Sequence, residues 1–243
     1  MFINSKNGCS ALSVDNYWFF MKQLKYPFAI LGAIGGLITC FFGRLLLKYV
    51  SFVVTIVSTI VLSNTVVFLI EGQAGNEEYN SVCWLTFVSS SVVGLVLAWL
   101  QSQYKTPAAI VISFWTGFEI GLVLSNVIYF KLPNEILFWA IMGSMGVLTS
   151  VVVLKNINTH MIWVTALFGS YVFFVSSTLF YGRWPVDLNL PKLYEVKAVR
   201  HVDKNFYMYI GMWALSACLG IAFQCWHLWH FKKKGKILKK KSL

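Results

Sequence analysis

Seven predominantly apolar runs, at about 27–43, 48–70, 82–101, 106–130, 135–154, 160–181 and 207–228, leave this chain little choice of solvent. A helix needs roughly 20 apolar residues to cross the hydrocarbon core of a bilayer. Inside that core every backbone N–H and C=O must find a partner, and a helix satisfies all of them within one segment. Only 12% of the residues carry a charge, whereas 58% are apolar. A soluble domain is about 25% charged, and so few charges cannot build a water-facing surface. No polar stretch between the runs is long enough to fold by itself. The expected fold is all-α: a multi-pass membrane helix bundle of seven transmembrane helices, arranged as three hairpins plus a final helix.

Charge fixes the expected orientation. The net charge is +11, and seven of the 20 basic residues lie in the last 12 positions. That clustering describes a polybasic tail over 229–243 that meets cytosol or anionic headgroups, not a basic folded face for nucleic acid. With the C-terminus in the cytosol, the turns holding Arg44, Lys48, Lys105 and Lys155 are also cytosolic, and with the tail they place 11 basic residues inside. Nine remain outside: Lys6, Lys22, Lys25, Lys131 and five in the loop 182–206. The positive-inside rule favours this arrangement. The loop 71–80, with Glu71, Glu77 and Glu78, is then outside or lumenal, as is the N-terminal segment 1–26.

Residues 1–25 lack a basic stretch followed by an apolar one, so the first spanning helix is expected to act as an uncleaved signal. Within them, Val14, Tyr17, Trp18, Met21 and Leu24 share a helical face. They read either as a short helix lying at the membrane surface or as an irregular aromatic lead-in. Three hairpins turn near Gly43, Ser102 and Asn156, a faint internal repeat. Such repeats occur in transporters, and also arise in any protein built from hairpins.

The last four residues are Lys240-Lys241-Ser242-Leu243. Lysines third and fourth from the end resemble the dilysine signal that coatomer reads for retrieval to the endoplasmic reticulum. An endomembrane location is the corresponding expectation, with the plasma membrane as the alternative. The lysines also form a strip that attracts anionic lipid.

Glu119 is the one acidic residue deep in a run. Ionisable groups at that depth are costly, and they face the bundle interior or a water-filled cavity. Candidate partners are Asn64, Asn126 and Gln224. Two readings stand side by side: an intramembrane proton or ion site, and a neutral, hydrogen-bonded structural carboxyl. Small residues recur four apart or close to it (Gly32 and Gly36, Gly94 after Ser90, Gly117 and Gly121, Gly143 and Gly146), and these let helix backbones approach closely. Self-association or assembly with other membrane proteins is the alternative use of such faces. Cys9 and Cys83 both fall on the expected lumenal side and are a candidate disulfide pair. Cys40, Cys218 and Cys225 read as small apolar residues. His227 and His230, beside Trp226 and Trp229, read as part of an interfacial aromatic belt rather than a metal site. No nucleophile–base pair, phosphate loop or cofactor motif is visible, so an enzyme is not expected.

Three segments carry a family likeness: CFFGRLLLKYVSFVV (Cys40 to Val54), SVVGLVLAWLQSQYKTPAAIVISFWTGFEIGLVL (Ser91 to Leu124) and GSMGVLTSVVVLKNINTHMIWVTALFGSY (Gly143 to Tyr171). In order and spacing they resemble the seven-helix family of transmembrane protein 198 and transmembrane 7 superfamily member 3, over about residues 28–182. The resemblance implies a seven-pass protein. One member is described as a membrane scaffold promoting phosphorylation of a Wnt co-receptor, which implies a non-enzymatic scaffold or accessory subunit. The residues leave two alternatives: a proton- or cation-coupled transporter or channel using Glu119, and an accessory subunit of an energy-transducing membrane complex.

Overall fold

A computed structural model describes residues 25–71, 79–128, 135–181 and 204–241, and everything described is helix or turn. Seven α-helices lie among these residues: α1 (Lys25–Phe42), α2 (Leu47–Glu71), α3 (Tyr79–Ser102), α4 (Lys105–Ile128), α5 (Glu135–Lys155), α6 (Ile157–Tyr181) and α7 (Lys204–Lys241). The amphipathic stretch 14–24, the loop 72–78 and most of the loop 182–206 lie outside the described residues. The last helix does not stop where the apolar run stops. Its backbone continues through the lysine-rich segment to Lys241.

In water, a segment such as VSFVVTIVSTIV in α2 would favour strand, because β-branched side chains lose rotamer freedom in a helix. In hydrocarbon the backbone has no water to bond, and that constraint outweighs propensity. The hydroxyls in these helices also turn inward on the backbone. Thr55 donates to the Ser51 carbonyl at 2.8 Å, and Thr59 to that of Thr55 at 2.8 Å. The helix ends follow local chemistry. Pro27 and Pro107 each sit at the third position of their helix, where a missing N–H costs no internal bond. Asn156 stands at the N-cap position of α6, its carbonyl accepting from His160 N–H at 3.0 Å.

The chain divides into two compact units. In one, α2 and α3 pack through Gly94, where an added Cβ would lie 3.3 Å from the Ile56 Cα and 3.3 Å from the Thr59 Cβ. Thr55 Oγ1 also lies 2.6 Å from the Gln101 side-chain amide across this pair.

The other unit holds most of α1 and α4, together with α5, α6 and α7. Its core joins Leu122 and Val123 of α4, Met142 of α5, Tyr171 of α6 and Trp213 of α7. Tyr171 and Trp213 meet edge to face with centroids 6.2 Å apart, and the Trp213 indole N–H donates to the Leu167 carbonyl at 3.3 Å.

Among the described residues, four stretches are long and apolar enough to cross a membrane: Leu85–Ser102, Lys105–Leu124, Ile157–Ser177 and Met208–His230. Ala29–Phe42, Leu47–Ile60 and Ala140–Lys155 form shorter apolar helical stretches. Large apolar side chains such as Leu85, Trp99, Leu215 and Trp226 point outward, as a lipid-facing surface requires.

Candidate functional site

The carboxyl of Glu119 sits on α4 at a place where that helix is held closely on two sides. On one side, Gly117 lies so near α5 that an added Cβ would strike the Met145 carbonyl and the Thr149 hydroxyl, with Gly146 Cα 2.8 Å away. Gly146 in turn lies against the ring and carbonyl of Phe114, and Ser150 Oγ reaches the Ile110 carbonyl at 3.4 Å. On another side, Thr116 Oγ1 donates to its own helix at Ile112 and approaches the Val164 carbonyl of α6 at 3.5 Å. Glu119 follows Thr116 by one helical turn. It is 7% exposed, and its Oε2 atom is buried with no hydrogen-bond partner among the described residues. The Tyr171 phenol of α6 lies within its electrostatic reach.

A buried oxygen without a partner costs roughly 1–3 kcal/mol, and far more if it carries a full charge. The neutral carboxyl is the form compatible with this environment. It has one O–H to donate and remaining capacity to accept, so it can exchange a proton or stay inert.

A second polar cluster lies where α1, α6 and α7 meet. The Gln224 side chain, buried on α7, donates through Nε2 to the Cys40 carbonyl of α1 at 2.8 Å and lies 3.2 Å from Thr165 Oγ1 of α6. Thr165 also donates to the Met161 carbonyl of its own helix at 2.7 Å. The Cys40 thiol approaches the Ser216 carbonyl of α7 at 3.6 Å. Glycines let three backbones converge on this clasp. Gly169 of α6 faces the Cys40 backbone, Gly220 of α7 faces the Cys40 sulfur and carbonyl, and Gly43 faces Thr165. Lipid removes the hydrophobic drive between helices, so close packing and interhelical hydrogen bonds must hold them together. Gln224→Leu keeps the volume and removes the bonds. It is expected to cost about 1 kcal/mol, the usual scale for an interhelical bond in a membrane, read as a shift in an SDS unfolding titration in mixed micelles.

The model of the TM7S3/TM198-like domain matches residues 28–225 of this chain, from the start of α1 to deep in α7. The chain belongs to the TM7S3/TM198-like family. No curated protein and no solved structure matches it. The sequence likeness was drawn from residues 28–182, and the match carries it through the last helix. Family membership and the apolar helices together make the protein an integral membrane protein.

In this TM7S3/TM198-like chain the residues singled out from sequence separate into distinct places. Gln224 does not join Glu119, because its amide is engaged by Cys40 and Thr165. Asn64 and Asn126 stand in α2 and α4, but their side chains lie outside the described residues. The same holds for Cys83, Lys240 and Lys241, and Cys9 lies outside the described residues altogether. Of the glycines, Gly32 meets Ser176, Gly36 meets Phe173 and Gly169, and Gly121 meets Met142, all at close range.

Gly143 is a correction to the packing set. A Cβ there would touch nothing within 4 Å among the described residues, because it lies off the α5 face that Gly146 presents to α4. Sequence reasoning named Gly43 only as a hairpin turn and passed over Gly169 and Gly220. Gly220 follows Ser216 by four residues, the same spacing that singled out the others, so the signal was present. The His227 ring stacks on Phe223 and the His230 ring on Trp226.

Proposed function

We propose that this protein is a seven-span, non-enzymatic scaffold or accessory subunit that assembles with other membrane proteins, with its C-terminus in the cytosol. The observation that carries this reading is the fate of the polar side chains. The hydroxyls of Thr39, Thr55, Thr59, Ser113, Thr116, Thr149, Ser150 and Thr165 each donate to a carbonyl four residues back on their own helix. Hydroxyls satisfied within their own helix need no water or solute as a hydrogen-bond acceptor, which fits a closely packed bundle. Gln224 ties three helices together in the same spirit. Helix lengths support seven spans, since even the 18 residues of α1 cover about 27 Å. The charge distribution supports the orientation.

A specific observation keeps a second reading in play. The unpartnered Oε2 of Glu119 is what a proton-coupled carrier would place in its core. Proteoliposomes decide between the two. The scaffold reading expects proton and cation flux equal to that of empty vesicles. A flux abolished by Glu119→Gln would replace it with transport. The positive arm is stoichiometric co-migration with defined membrane proteins on native gels in mild detergent.

Residence in the endoplasmic reticulum or another endomembrane follows if the dilysine is read. Lys240→Ser with Lys241→Ser is expected to move most of a tagged protein to later compartments, seen by microscopy. An unchanged distribution would reject the retrieval signal.

A further inference from the structure

An apolar groove opens outward between the end of α1 and α7, lined by Phe41, Leu219, Ala222, Phe223 and Trp226. Aromatic rings pack on one another around it. The Phe223 ring meets Phe41 and Phe42 edge-on at 5.4 and 5.5 Å, and Trp226, 58% exposed, stacks with His230 at 5.8 Å. Arg44 follows α1 two residues beyond its end. On α7 the helix runs unbroken past the groove into Lys232, Lys233 and Lys234. Positions 230, 233 and 234 fall four, seven and eight residues after Trp226, which puts them on the same face of that helix.

Apolar groove, aromatic collar and lysine positions therefore succeed one another along α7. That order matches an acyl chain, an interfacial glycerol region and a phosphate. A zwitterionic lipid would fill the groove but leave the lysines without a net countercharge. We infer that this face is a binding site for one anionic phospholipid, its acyl chain in the groove and its headgroup beyond the collar, at the level of Arg44 and of the lysine positions in the next turns of α7. The inference needs only that the chain lies in a membrane. The flux and co-migration experiments can fail without touching it.

Brominated lipids quench tryptophan at contact, which makes Trp226 its own probe. The full-length protein is reconstituted in vesicles of phosphatidylcholine or phosphatidylserine with brominated chains, and the Trp226 signal is taken as wild type minus Trp226→Phe. Brominated phosphatidylserine is expected to quench this signal with the higher relative affinity. Each lysine contributes about fivefold at low salt, so Lys233→Gln with Lys234→Gln is expected to lower the preference for phosphatidylserine by roughly 25-fold, leaving the share due to Arg44. Ala222→Phe, which fills the groove, is expected to lower quenching by either lipid. Equal quenching by both lipids in the wild type would reduce the groove to ordinary lipid-facing surface and overturn the inference. Absence of Trp226 quenching by either would mean that a protein surface covers it, a second copy included, and would overturn it equally.

Discussion

Gly36→Ala is expected to destabilise the bundle by about 2–4 kcal/mol, while Gly35→Ala, one position away, is expected to stabilise it by up to about 1 kcal/mol. The opposite signs come from one helical step of 100°. At Gly36 an added Cβ would lie 2.5 Å from the Phe173 nitrogen and 2.8 Å from both the Gly169 oxygen and the Phe173 Cα. All three are backbone atoms, so no rotamer change can make room, and α1 must move away from α6. That movement pulls on Cys40 four residues later, and with it the Gln224 bond that closes the clasp. At Gly35 the added methyl meets nothing within 4 Å among the described residues, and the helix propensity gain remains. The midpoint of SDS unfolding in mixed micelles measures both. Two shifts of the same sign would mean that α1 does not seat on α6 in this register.

This pair also shows what could be read from the sequence. The helices were legible because bilayer length and backbone satisfaction impose a strong pattern: seven apolar runs separated by basic, acidic or proline-bearing turns. The rotational setting of each helix was less legible. Lipid-facing and core-facing residues are both apolar, so polarity does not mark the buried face as it does in water. Four-residue spacing of small residues stood in for that signal. It identified Gly32, Gly36, Gly94, Gly117 and Gly121 and passed over Gly169 and Gly220, while of the three-apart pair Gly143 and Gly146 only Gly146 meets another helix.

The candidate site was half legible for a related reason. A lone carboxyl in a span announces itself, so Glu119 stood out. Its surroundings depend on which helices touch α4, and no local pattern encodes that. Gln224 was offered as a partner because it is polar and deep, yet the register of α7 aims it at Cys40 and Thr165. Tyr171, which does lie near Glu119, looked like one aromatic among many.

Glu119→Met carries the other large effect, and its sign bears directly on function. Methionine is close to glutamate in length and volume, so the space the side chain fills stays filled. What disappears is a carboxyl whose Oε2 is buried without a partner. Removing that orphan is expected to raise the unfolding free energy by about 1–3 kcal/mol, the penalty of an unsatisfied buried polar atom. Apolar replacement of buried ionisable groups stabilises other folds for the same reason. A stabilised Glu119→Met protein that still co-migrates with its partners would make the carboxyl dispensable to assembly. Stabilisation accompanied by loss of a measured flux would show a costly group maintained for its chemistry, the usual trade between stability and activity. Destabilisation by more than about 1 kcal/mol would mean that Oε2 has a partner in the membrane, such as water or a cation. Titrating monovalent cations against the wild-type unfolding midpoint then separates those two, because only a bound cation raises stability with its concentration.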